Sequence, residues 1–303
     1  MMKKNLKILY TTSLALLVTG CAGTSFTNQI QNDKYDLLAE ESFMRYNTNR
    51  LAGLESTNKN FISLALIACH QDKISKGLSL LEASMHENKS NPFYWNAVGT
   101  CYTLSKDLTK GIFYYELGLE AARESNKALS ESNRKTAESV ITNNLGLIHL
   151  KFKRFDDAFD SFKKSNLLTP NYFTPQFNTA QLFIEFNENN KALTILKNLE
   201  TKNSADIDLL YSLALIYYRK NDYDTSFSYV SKIQADYLNR ADIVGIYAFN
   251  LMKKNKLVEA KAILEKRLYA NEYNRRNELI LEEVNQKIKD LPKEEQNKQI
   301  EVK

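Results

Sequence analysis

The chain has 303 residues, with 41 Lys and Arg against 36 Asp and Glu, and it contains only nine Gly and four Pro. Setting aside the three lysines within the first seven residues leaves 38 basic and 36 acidic residues. This net charge of +2, with both signs mixed, does not indicate a nucleic-acid-binding surface. Few helix breakers and no alternating apolar pattern between hairpin turns predict an all-α fold.

The first segment, 1–20, has the pattern of a secretory signal peptide. Three lysines precede an apolar run at 14–18 that is too short to span a bilayer. The sequence Val-Thr-Gly-Cys at 18–21 resembles a bacterial lipobox. This resemblance implies cleavage before Cys21, attachment of diacylglycerol to its thiol, and acylation of the new amino terminus by palmitate or a similar chain. A plain secretory signal with an incidental cysteine is the alternative.

Lipidation would place the mature chain on a membrane, because several acyl chains on one residue exceed the threshold for stable anchoring. Ala22 follows the cysteine in place of the aspartate that retains many lipoproteins in the inner membrane. We therefore expect an outer-membrane lipoprotein that faces the periplasm. The polar stretch 21–34 is predicted to be a tether, and 35–57 is predicted to form a helix that caps the following domain.

The region 58–274 is built from a repeat with a period of about 34 residues. Units begin at 58, 92, 139, 173, 207 and 241, and the register slips once, across the insertion 126–138. This insertion is polar, and we expect it to lengthen the flanking helices or loops rather than to interrupt the stack.

Small and aromatic residues recur at fixed positions of the unit. The second unit has Trp95, Gly99, Tyr102 and Tyr115 at positions 4, 8, 11 and 24, and the third has Gly146 at position 8. This pattern resembles the tetratricopeptide repeat (TPR). The resemblance implies an all-α superhelical solenoid of about six helix-turn-helix repeats, in which each repeat buries one face on the next. A helical bundle without true repeats is the alternative.

The C-terminal segment 275–291 is predicted to be one more helix, with apolar positions at Leu279, Ile280, Val284 and Ile288. It is expected to cap the last repeat, although it could also lie in the groove of the solenoid. The mostly charged and amide residues 292–303 predict a disordered tail.

Catalytic motifs are missing from the sequence. His70, His86 and His149 lack metal-ligand spacing, and there is no GxSxG motif, phosphate loop or CxxC motif. We therefore expect no enzymatic activity, no metal and no cofactor other than the lipid on Cys21. Cys69 and Cys101 fall on the first helices of adjacent repeats, where they could pair in an oxidising compartment. We expect them to remain buried free thiols, since a disulfide requires favourable geometry.

The first helices of the repeats should line a concave groove that binds a protein or peptide, with no small-molecule substrate. Residues at positions that face this groove are Asn143, Leu147, Phe177, Gln181, Tyr211, Leu215, Tyr218, Arg219 and Phe249. The aromatic members could anchor an extended peptide or a helix, although some of these rings could belong to the core between repeats. Asn144 stands where the clamp of chaperone-tail binders can place an asparagine. The clamp's basic companions are not present together, which disfavours recognition of a terminal carboxylate.

The combination of lipobox and repeats resembles two groups of proteins. One comprises pilotin-like lipoproteins of type IV and Flp/Tad pilus systems, which help a secretin assemble. The other comprises lipoproteins that recruit peptidoglycan hydrolases. The first resemblance implies an adaptor in pilus or secretion assembly, anchored to the membrane by its lipid. A cell-wall scaffold and a structural envelope protein are the alternatives.

Overall fold

The computed structural model describes residues 61–124, 129–234, 238, 240–268 and 275–293, and every regular element within them is a helix. The predicted signal peptide, the lipid on Cys21, the tether, the N-terminal capping helix and most of the C-terminal tail lie outside the described residues. In the part of the chain that is described, no helix is both long and apolar enough to cross a bilayer.

Thirteen helices occupy the described residues. Their bounds are α1 Phe61–His70, α2 Ile74–Asn88, α3 Pro92–Leu104, α4 Leu108–Glu124, α5 Glu131–Lys151, α6 Phe155–Leu168, α7 Phe173–Glu185, α8 Asn189–Glu200, α9 Ile207–Arg219, α10 Tyr223–Val230, α11 Ala241–Lys253, α12 Leu257–Leu268 and α13 Arg275–Asp290. The chain forms two compact units that divide between Leu182 and Phe183, within α7.

The helix pairs turn at the same place in each repeat. Six non-glycine residues have positive φ, between 59° and 71°, and they occupy the same position of successive repeats: Asp72, Lys106, Lys153, Asn187, Asn221 and Asn255. Each is followed by a residue whose N–H donates to the carbonyl five residues back, as Asp107 does to Tyr102 at 3.0 Å. This left-handed turn satisfies the last carbonyls of the first helix and reverses the chain within three residues.

The first helices of several pairs begin at the expected starts of the repeats. α3, α7, α9 and α11 begin at residues 92, 173, 207 and 241, each with 13 residues. Side-chain caps help to fix two of these starts, since Asn91 accepts from the N–H of Phe93 and Asp206 accepts from that of Leu209.

The insertion lengthens the helix that follows it. α5 has 21 residues and begins at Glu131, ahead of the expected start of its repeat at 139, with Ser130 as the N-cap. Residues 131–138 therefore form its first two turns, while 125–128 lie outside the description.

In the first unit a disulfide joins the first two pairs. Cys69 on α1 and Cys101 on α3 are bonded, with their Cα atoms 5.3 Å apart, so the expectation of free thiols is wrong. Gly77 on α2 makes room for the bridge, because a Cβ there would lie 2.2 Å from the Cys69 Sγ atom. Ile67 and Leu81 are fully buried in the same cluster. Gly77 thus leaves the space that the covalent link between the repeats occupies.

In the second unit the final helix packs on the last repeat. Ile280 and Val284 of α13 share a buried cluster with Val244, Ala248 and Leu251 of α11. α13 begins at Arg275, one repeat period after Ala241, so it takes the place of the first helix of a further repeat. Gly245 permits its close approach, since a Cβ there would lie 2.5 Å from the Asn277 Oδ1 atom.

Candidate functional site

Three helices of the second unit, α9, α11 and α13, lie side by side and carry five of the predicted groove residues. The structure brings two of these residues into contact: the rings of Tyr218 and Phe249 meet edge to face, with centroids 4.9 Å apart. Tyr223, at the start of α10, completes a three-ring cluster at 5.6 Å from Phe249 and 6.1 Å from Tyr218. All three rings are half-buried and therefore keep part of their surface open to a partner.

Two cations border this ring cluster. The Lys253 Nζ atom lies 5.0 Å from the Phe249 centroid and 5.4 Å from that of Tyr223. The Arg276 guanidinium lies 5.1 Å from the centroid of Tyr218. These distances suit cation–π contacts, which hold the charges beside the apolar rings.

Sequence reasoning missed Arg276, because α13 was expected to serve as a cap and not to line a binding surface. Its position in the repeat could have indicated that Arg276 lines this surface. Arg276 stands one repeat period after Asp242 and two after Asp208, and position 2 of the repeat is one that faces the groove.

Tyr211, on the same helix as Tyr218, is half-buried among charged groups. Burial is the largest effect on its phenol and, with the negative charge of Asp242, raises the pKa to about 12, against the opposing influence of Arg276, Arg240 and Arg219. Within the described residues the Tyr211 hydroxyl makes no hydrogen bond.

Arg219 is the last residue of α9. Its Nη1 atom donates to the carbonyl of Ile184 at 2.7 Å, which fixes the guanidinium in place. Burial and the nearby charge of Arg276 lower its pKa, while Tyr211 and Glu185 oppose that shift.

A buried ion cluster lies behind Tyr211. Arg240 binds Asp208 through Nη1 at 2.5 Å and Asp242 through Nη2 at 2.7 Å, and its side chain is only 12% exposed. Burial raises the pKa of Asp208 well above its usual value, against the attraction of Arg240. The Arg240 guanidinium lies 5.9 Å from the Tyr211 ring. Its donors serve two carboxylates, so Arg240 joins the starts of α9 and α11.

In the first unit, two residues that were predicted to line the groove are buried instead. Asn143 is fully buried, where it donates to Asn144 at 3.3 Å and accepts from Asn178 at 2.9 Å. Asn144 in turn donates to Asn96 at 3.0 Å, so this asparagine ladder joins α3, α5 and α7. The prediction that Asn143 faces a partner is wrong, because Asn143 is buried and its amide hydrogen-bonds to Asn178 of α7.

The prediction that Phe177 lines the groove is also wrong, because this residue is buried. It is 4% exposed and stacks on Phe173 with centroids 5.4 Å apart, so it belongs to the core between helices. Leu147 and Gln181 are half-buried, as are Tyr211 and Leu215 in the second unit. Among the described residues, no group of three or more His, Cys, Asp or Glu could hold a metal ion.

Comparison with known proteins identifies similar folds rather than a family. No family model matches the sequence, and no curated protein matches it either. Solved structures do match: PilF of Pseudomonas aeruginosa has 13% identity and a TM-score of 0.58, covering 78% of this chain and 99% of its own. PilW, a widely conserved type IV pilus biogenesis factor, has 15% identity and a TM-score of 0.56, covering 73% and 96%.

A third match is to the APC/C hetero-tetramer Cut9–Hcn1, with 12% identity, a TM-score of 0.60 and coverage of 82% of this chain and 49% of the other. At these identities the likeness concerns the fold alone. Together with the helix pairs and their recurring left-handed turns, it shows that the chain has an all-α tetratricopeptide-repeat fold.

Proposed function

We propose that the chain is a non-enzymatic adaptor that binds a protein partner through the face of α9, α11 and α13 in its second unit. The observation that carries this proposal is the half-buried ring cluster of Tyr218, Tyr223 and Phe249 beside Lys253 and Arg276. Aromatic and arginine side chains dominate the energetics of protein interfaces, because they present a large contact area with few rotatable bonds or planar sets of donors.

We further propose that the adaptor works in the bacterial envelope, anchored by a lipid on Cys21 and facing the periplasm. The lipobox-like sequence at 18–21 supports this, and so does the disulfide between Cys69 and Cys101, since disulfides persist in oxidising compartments. The likeness to PilF and to the pilus biogenesis factor PilW favours a role in type IV or Flp/Tad pilus or secretion assembly. Recruitment of peptidoglycan hydrolases is the alternative.

Site-specific cross-linking in the native organism tests this proposal. A photo-reactive phenylalanine analogue at position 249 should cross-link a protein of a pilus or secretion apparatus, which mass spectrometry then identifies. The matched control places the analogue at Lys266, an exposed position on α12 of the same helix pair. A cell-wall hydrolase captured at position 249 would favour the alternative. Equal cross-linking from both positions would contradict a partner on this face.

A further inference from the structure

Lys253, at the end of α11, has no carboxylate partner in the part of the chain that the structure describes. Its side chain is exposed, and its ammonium lies 5.0 Å from the ring centroid of Phe249 and 5.4 Å from that of Tyr223. An ammonium group has three N–H donors, and contact with ring faces leaves donors available to a further group. Lys253 is therefore an unpaired cation at the edge of the ring cluster.

The two other lysines of this turn already have carboxylates. Lys254 pairs with Asp224, and Lys256 pairs with Glu259 at 3.0 Å. Of the three lysines, Lys253 is thus the one whose charge no ion pair balances among the described residues, and it is the one that lies beside Phe249.

We propose that Lys253 and the ring cluster of Tyr218, Tyr223 and Phe249 bind a segment of the partner protein in which an acidic residue adjoins an apolar one. The carboxylate pairs with the Lys253 ammonium, and the apolar side chain lies on the rings. This inference rests on the proposed function, and it specifies the chemistry of the segment that the adaptor recognises.

The distances place both groups within the reach of one short segment. The ring centroids of Tyr218 and Phe249 are 4.9 Å apart, and the Lys253 ammonium is 5.0 Å from the second of them. A carboxylate lies about 2.8 Å from an ammonium that it binds, and an extended chain rises about 3.3 Å per residue, so adjoining residues can serve both contacts. Because the rings are half-buried, an apolar side chain on them also keeps water from the ion pair, which strengthens it.

An anionic membrane surface is a poorer candidate for the same face. Recognition of anionic headgroups takes clusters of about four to eight lysines or arginines, whereas Asp224 and Glu259 balance two of the three lysines here. Nucleic acid is disfavoured as well. Beyond the first seven residues, basic and acidic residues number 38 and 36, so the chain lacks the excess positive charge that phosphate backbones require.

Fluorescence polarisation with three synthetic peptides tests the proposal. The acidic probe is a fluorescein-labelled, C-terminally amidated decapeptide in which pairs of Phe alternate with pairs of Glu, and the neutral and basic probes have Gln or Lys at every Glu position. The wild-type chain should bind the acidic probe about fivefold more tightly than the neutral one, and added salt should reduce this ratio. Lys253→Gln should abolish the preference, whereas Phe249→Ala should weaken both probes.

Charge reversal separates recognition from a structural role. Lys253 lies in the last turn of α11, where a cation also stabilises the helix end, so a merely structural residue would change melting without changing the ratio between probes. Lys253→Glu should bind the basic probe more tightly than the acidic one, and Lys253→Arg should keep the acidic preference. The matched control, Lys266→Gln, removes the same charge from an exposed position on α12 and should leave every affinity within about twofold.

Several results would overturn the inference. These are equal affinity of the wild type for the acidic and neutral probes, no binding of the acidic probe at millimolar concentration, or an equal loss from Lys253→Gln and Lys266→Gln. Tighter binding of the acidic probe when its C-terminus is free would assign Lys253 to a terminal carboxylate instead. Tighter binding of a peptide of residues 294–303 would assign this surface to the chain's own tail.

Two further measurements separate this inference from a membrane and from the proposed function. If the Cys21→Ser chain sediments with phosphatidylglycerol vesicles, and Lys253→Gln abolishes this, the cation serves a membrane and not a partner protein. If cross-linking at position 249 captures the same partner with undiminished yield in the Lys253→Gln chain, the proposed function survives while this inference fails.

Discussion

Loss of the disulfide between Cys69 and Cys101 should destabilise the first unit. Reduction is the cleanest perturbation, because it breaks the cross-link and keeps both side chains, which are 2% and 0% exposed. The double variant Cys69→Ala, Cys101→Ala provides a second version that cannot be reoxidised. Both forms should be prepared from a chain that begins at Ala22, so that Cys21 does not contribute a third thiol.

The expected magnitude follows from the length of chain that the bridge closes. The two cysteines have a sequence separation of 32. A cross-link over a loop of this length removes conformational entropy from the unfolded chain worth about 3 to 4 kcal/mol at 25 °C. The wild-type side chains pack the same space after reduction, so no transfer or cavity effect should be added to this figure.

Guanidinium titrations followed by circular dichroism should measure this loss in the free energy of unfolding. The chain should be reduced while unfolded, because both sulfur atoms are buried in the folded state, and then refolded with reductant present. The reduced wild type should unfold at a lower midpoint than the oxidised chain, and the double variant at a midpoint at least as low, because it also loses two buried sulfur atoms. Identical midpoints for oxidised and reduced wild type would refute the reasoning, as would alkylation of both thiols when the untreated chain is unfolded.

Four further outcomes are expected. Cys21→Ser should move the protein from the membrane to the soluble fraction, since the lipid has no thiol to join, and an unchanged distribution would contradict the lipobox. Gly99→Leu and Gly146→Leu should lower stability by roughly 1 to 3 kcal/mol, because even a Cβ would lie 2.6 Å and 2.7 Å from facing rings, and unchanged melting would contradict this packing. Phe249→Ala should weaken partner binding about 30-fold, equivalent to roughly 2 kcal/mol, whereas normal binding with early melting would place the ring in the core. Because burial raises the pKa of Tyr211 to about 12, stability should fall between pH 10 and 12, and alkaline denaturation should show a weaker pH dependence in Tyr211→Phe.

The sequence alone determined the fold class, because the fold is built from a repeat that is visible in the sequence. Each helix pair must bury one face on its neighbours, so small residues such as Gly99 and Gly146 recur where helices touch, at a regular spacing that is readable without coordinates. The left-handed turns follow the same period, but the sequence does not reveal them. Asp, Lys and Asn all occupy that position, so the residue type alone gives a weak signal.

The candidate site depended on tertiary structure, because a position in the repeat indicates which face a side chain occupies but not how deeply it is buried. Asn143 and Tyr211 share position 5 of their repeats, yet Asn143 meets the amide of Asn178 and is fully buried, whereas Tyr211 retains part of its surface. Pairing of Cys69 with Cys101 likewise required the space that Gly77 leaves. Arg276 lies far beyond Tyr218 in the sequence, and only the packing of α13 against α11 brings its guanidinium to 5.1 Å from the Tyr218 ring.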